Sequence, residues 1–175
     1  MHSLILILHF IFMESQIKNL KKAAQRLKLA GKKKEKVIIY GDADLDGVAS
    51  VIIMQETLEN LGADIAAVYF PDREIEGYGI TMTALKKLKK FSPALLVAVD
   101  LGIGNFAEVE AARNLGFETI IIDHHEILDD VPNADIIIDP KQPIDHSSFK
   151  LFSAAGLVFK TAQEALGKNL SPRLR

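Results

Sequence analysis

The run Leu95-Leu96-Val97-Ala98-Val99-Asp100 decides the fold, because five apolar residues pass without a polar break into an aspartate. A strand with that composition has no wet side. It must be covered on both faces, which is the situation of a parallel sheet lying between two layers of helices. Working outward, β-rich runs recur at Val37 to Tyr40, Asp64 to Phe70, Glu118 to Ile122 and Ala134 to Ile138. The segments 47–61, 81–90 and 106–115 are long enough for crossover helices, and Gly62 and Gly116 stand where helix C-terminal caps are wanted. Leu151 to Leu166 predicts one further helix.

These elements define an α/β fold, a doubly wound (Rossmann-like), mostly parallel sheet of about five strands with helices on both faces. The chain has 175 residues, 49% hydrophobic and 25% charged, which suits one globular domain and excludes intrinsic disorder. Glu14 to Ala30 carries apolar residues Ile17, Leu20, Ala23, Ala24 and Leu27 at helical spacing, with Gly31 and the lysines after it as the stop. Residues 1–35 therefore form an apolar segment and a basic amphipathic helix ahead of a domain over 36–175. Nine Lys/Arg face two acids between Met13 and Lys36, against twelve basic and twenty-one acidic residues from 37 onward. The basic stretch reads as a solvated helix face or a polyanion contact, whereas the acidic body argues against broad electrostatic binding of nucleic acid unless cations neutralise it.

Leu4 to Phe12 is apolar apart from His9 but falls well short of the ~20 residues that span a bilayer. It has no basic leader and no small-residue cleavage site, so a misassigned start before Met13 or a short packing segment is expected, and a cytoplasmic location with no membrane partner. The absence of cysteine excludes disulfides and thiolate sites, leaving carboxylate, imidazole and water as metal ligands.

Three strand runs end directly in aspartate: Val37 to Tyr40 leads to Gly41-Asp42, Leu95 to Val99 to Asp100, and Ile120 to Ile122 to Asp123. The carboxyl ends of parallel strands share one edge, where such folds bind ligands, so these acids must gather. Asp42, Asp44 and Asp46 alternate in Gly-Asp-Ala-Asp-Leu-Asp-Gly, and alternate residues of extended chain point the same way. That density of negative charge is costly without a counter-ion. With His124 and His125 following Asp123, the mixed donor set suits Mn²⁺, with Mg²⁺ as competitor. Taken singly, an Asp-x-Asp-Gly string is an ordinary turn and a His pair an ordinary surface feature. An EF-hand loop is excluded because Ile53 occupies its twelfth position.

Asp123-His124-His125 resembles the signature of the DHH phosphoesterase superfamily. Gly41 to Ser50, Phe70 to Gly79 (Phe-Pro-Asp-Arg-Glu-Ile-Glu-Gly-Tyr-Gly), Val99 to Gly102 and Asp139-Pro140-Lys141-Gln142-Pro143 are similar in order and spacing to its RecJ branch, over about residues 36 to 167. The resemblance implies a two-metal hydrolase that polarises a phosphoryl group and activates water. It implies one metal on Asp42 and Asp44, the other on Asp46 and His124, and Asp100 between them. His125 would contact the scissile phosphate, with Asp123 orienting it. Arg73 is a further phosphate candidate, against a surface ion pair with Glu74 or Glu76. Gly77 and Gly79 either let backbone approach substrate or make turns.

The implied activity is 5′ to 3′ exonuclease action on single-stranded DNA, rather than RNA, in repair and recombination. In this family a further aspartate and a C-terminal clamping domain follow the helix that ends near Leu166, so the chain is expected to be a truncated form. Two other readings stay open. One is a small-substrate phosphodiesterase acting on oligoribonucleotides, cyclic dinucleotides or pyrophosphate, and the other is a non-catalytic scaffold that kept the fold.

Overall fold

The computed structural model describes residues 17–128, 130–170 and 172–174. In chain order the principal elements are α1 (Leu20–Lys33), β1 (Lys36–Gly41), α2 (Leu45–Leu61), β2 (Asp64–Tyr69), α3 (Met82–Leu88), β3 (Ala94–Val99), α4 (Phe106–Asn114), β4 (Phe117–Ile122), β5 (Ile136–Ile138) and α5 (Ala154–Leu166). The strands form one sheet in the order β2-β1-β3-β4-β5, and every neighbouring pair is parallel. The apolar runs therefore do what their composition requires. Leu95, Val97 and Val99 turn toward α1, α2 and α5, while Leu96 and Ala98 turn toward α3 and α4. Leu95 to Val99 are all essentially buried, as a strand between two helical layers must be.

Side-chain caps start three helices. Asp44, Thr81 and Ser153 accept hydrogen bonds from the backbone N–H of Gly47, Ala84 and Gly156, satisfying donors that the first turn leaves free. Among the described residues, helix α1 departs from expectation at both ends. Asn19, at φ 65°, precedes its start at Leu20, and it runs through Gly31 to Lys33 before Lys34 turns left-handed at φ 51°. Gly31 serves a close approach rather than a stop, since a Cβ there would lie 2.1 Å from the Leu61 carbonyl oxygen at the end of α2. Residues 14–16 and the apolar run Leu4 to Phe12 lie outside the described residues.

The fifth strand is shorter than the run suggests and begins at Ile136. Its outer side is closed by side chains: Asn19 Nδ2 and Gln142 Nε2 each donate to the Ile137 carbonyl at 2.9 Å. No described helix is long and apolar enough to cross a membrane.

Candidate metal centre

Register explains why the acids meet. Gly41, Val99, Ile122 and Ile138 are aligned as neighbours across β1, β3, β4 and β5. The next residue in each strand's path is Asp42, Asp100, Asp123 or Asp139. The ladder continues through this row, with Asp100 N–H donating to Ile122 O and Asp123 N–H to Ile138 O. The row straddles the point where the chain, having moved from β1 to β2, returns to the other side of β1 as β3, which is where open α/β sheets bind ligands.

Asp42, Asp44 and Asp100 each place an oxygen within 4.8 Å of the others, and Asp100, His124 and His125 form a second group within the same limit. Asp100 is common to both. It sits at φ 63°, a conformation uncommon for residues other than glycine, and is 2% exposed. Burial, then the charges of Asp46 and Asp44, push its carboxyl up to about 8. Its Oδ1 is buried and receives no hydrogen bond, although His124 Nε2 lies 3.3 Å away. A buried carboxylate oxygen without a donor, between two groups of further O and N donors, fits a hard or borderline divalent cation.

Asp123 is spoken for in another way. Its Oδ1 meets the His125 Nδ1 at 2.6 Å and accepts the His124 N–H, while Oδ2 accepts the Ile103 N–H at 3.0 Å. Burial alone would raise this carboxyl, but the His125 contact and the backbone donors outweigh it and hold Asp123 below its ordinary value. Reciprocally, Asp123 lifts the His125 imidazole to about 9. The pair leaves His125 cationic at neutral pH with Nε2 as its remaining donor, suited to a phosphate oxygen.

Asp46 lies off the extended run, in the first turn of α2. Its carboxylate accepts the N–H groups of Ala154 and Ala155 at 2.9 and 2.8 Å, tying the start of α5 to α2, and its Oδ2 is also 3.7 Å from His124 Nε2. Arg73 pairs with neither Glu74 nor Glu76. Its guanidinium forks onto Asp42, with Nε donating to Oδ1 at 3.1 Å and Nη2 2.7 Å from Oδ2, and reaches Asp44 Oδ2 at 2.9 Å. Glu76 instead anchors the loop carrying Arg73, accepting from Lys87 Nζ at 2.7 Å and from the Tyr69 hydroxyl. Gly77 and Gly79 both adopt positive φ, and Gly79 packs so tightly on Asn105 that a Cβ would sit 2.4 Å from its Oδ1. Gly79 thereby lets the loop lie against the start of α4, whereas a Cβ on Gly77 would meet open space.

The fourth member of the row, Asp139, escaped the reading of strand ends although Ile136-Ile137-Ile138-Asp139 repeats the pattern of the other three. It is fully buried, accepts the Lys141 N–H at 2.8 Å through Oδ1, and has no donor for Oδ2. Burial pushes it up to about 7. Clefts of ≈ 350 and ≈ 390 Å³ open at the opposite end of the strands, around Arg26 and Glu118. Arg26 is committed there to Glu118 and Glu35 at 2.7 Å each, and no histidine lines either cleft.

Fold and site together define a parallel α/β domain with a carboxylate and imidazole centre on its carboxyl edge. The chain belongs to the DHH family, whose N-terminal domain model matches residues 36–174. It is 40% identical over 153 residues to the single-stranded-DNA-specific exonuclease RecJ of Bacillus subtilis (strain 168), covering 87% of this chain and 19% of that protein. With the exonuclease RecJ of Escherichia coli (strain K12) the identity is 31% over 144 residues, 82% of this chain and 25% of that one. The crystal structure of an exonuclease RecJ bound to manganese superposes with a TM-score of 0.77 at 30% identity, over 89% of this chain and 40% of the other. The chain thus spans about a fifth to a quarter of the length of these curated relatives.

Proposed function

We propose that residues 36–174 form the metal-holding part of a phosphodiester hydrolase acting on single-stranded DNA from the 5′ end. The observation that carries this reading is the buried Asp100 carboxylate lying between Asp42 and Asp44 on one side and His124 on the other, on a chain similar to exonucleases of that substrate class. Asp42 and Asp44 would hold one divalent ion and His124 the other, with Asp100 serving both and Asp46 adjoining the second. Mn²⁺ is the favoured ion and Mg²⁺ its competitor, since the ligands mix carboxylate and imidazole. The bound ions would supply Lewis acidity toward a phosphoryl oxygen and lower the pKa of water.

The chain's own residues account for the remainder. His125, kept protonated by Asp123, offers a charged donor to the phosphate, and the Ile103 N–H fixes Asp123 so that the imidazole keeps one orientation. Asp46 holds α5 in place while its Oδ2 faces His124. Because the relatives are longer, the test is a chimera in which residues 36–174 replace the matching stretch of the Bacillus subtilis protein. It is expected to release nucleotides from 5′-labelled single strands in Mn²⁺ and to lose that activity with Asp100→Ala. A folded chimera that binds Mn²⁺ but leaves single strands intact would refute the assignment.

A further inference from the structure

Arg73 and a divalent cation call on the same oxygens. The guanidinium engages both oxygens of Asp42 and one of Asp44, at 2.7 to 3.1 Å, and these two residues are two of the three in the carboxylate group completed by Asp100. A planar fork matched to a carboxylate is a strong partner for it, and a second cation among the same oxygens meets like-charge repulsion. Both cannot be bound at full strength.

The loop limits what Arg73 does when it lets go. Glu76 is tied to Tyr69, Lys87 and Thr81, and Asn105 holds the Ile80 backbone, so the main chain on the far side of Arg73 is fastened. Release is therefore a side-chain movement. Tyr78, 74% exposed, has its ring centroid 5.3 Å from the guanidinium carbon and keeps the freed group at the rim of the site.

We infer that the Arg73 guanidinium competes with a divalent ion for Asp42 and Asp44, so that cation binding displaces Arg73 and frees its N–H groups to donate hydrogen bonds to a phosphate. This rests on the metal-centre reading above and adds an order to it, cation first and nucleic acid second. By linkage, a phosphate that holds Arg73 away from the carboxylates tightens cation binding by the same factor.

Calorimetric titration of Mn²⁺ into the wild-type chain, Arg73→Gln and Arg73→Lys tests the competition. Arg73→Gln is expected to bind Mn²⁺ more tightly by roughly 5- to 150-fold, the usual span of coupling between two ligands. Arg73→Lys, which keeps the charge and loses the fork, falls between the two. Equal or weaker Mn²⁺ binding by Arg73→Gln overturns the inference while leaving the metal centre intact. No Mn²⁺ binding by any of the three proteins overturns the metal-centre reading and this inference with it. A second readout is the Arg73 Nε–H resonance, which should shift on saturation with diamagnetic Mg²⁺; an unmoved signal contradicts displacement.

Discussion

Among individual residues, Asp139 is, with Asp100, one of two buried carboxyls carrying an oxygen that no donor reaches. A fully buried carboxyl whose Oδ2 has no donor is held near neutrality at the cost of its charged form, which is why burial raises it to about 7. The folded protein consequently binds a proton here that the unfolded chain releases near pH 4. Its contribution to stability is complete below that value and declines as pH rises toward about 7. Asp139→Asn removes the titration and places an amide where the orphaned oxygen lies. Urea unfolding at pH 4.5 and 7.5 should show the wild type losing ~2 to 4 kcal/mol relative to the variant between the two conditions. An unchanged difference would mean that Asp139 is solvated or paired. The sequence already held this residue's clue, a triple isoleucine run ending in aspartate, but three residues make a strand only once β4 is beside them. Arg73 was harder to read, because its partners are 31 and 29 positions away while two glutamates stand within three. Short-range charge pairing in a sequence says little about where a loop will deliver a guanidinium.

At the level of elements, most of what hydrophobic periodicity controls was legible in advance. Strands β1, β3 and β4 and helices α2 and α4 lie within two residues of the runs that predicted them, since buried apolar stretches bounded by glycine and acid leave little choice. Helix ends follow other physics. Gly31 reads as a terminator, yet it lies inside α1, where its missing side chain lets α1 and α2 touch. Gly31→Ala should therefore destabilise, against the usual helix preference for alanine, by ~1 to 3 kcal/mol as overpacking. Thermal or urea unfolding checks this, and a stabilised variant would show that the contact yields freely. Asp46 illustrates the same limit, for the two N–H groups it accepts lie 108 and 109 residues further along. Nothing local marks it as a clamp on α5 rather than as the third member of an alternating triplet.

Over the molecule as a whole, acids from widely separated segments converge because the parallel ladder keeps strand ends level, and the fold bears their repulsion. A cation that binds only the assembled site should repay it. Mn²⁺ at 100 times its dissociation constant is expected to add ~2.7 kcal/mol, or roughly 5 to 10 °C in midpoint for a chain of this size. Scanning calorimetry with and without Mn²⁺ measures the shift, and Asp100→Asn, which alters the residue shared by both donor groups, should abolish most of it. A full shift in that variant would place the ions elsewhere. The sheet's far border has an effect of its own. With Asn19 and Gln142 already saturating the Ile137 carbonyl, an incoming polypeptide finds no acceptor there, so stacking of copies side by side into a continuous ribbon is blocked at β5 and any such growth must begin from β2.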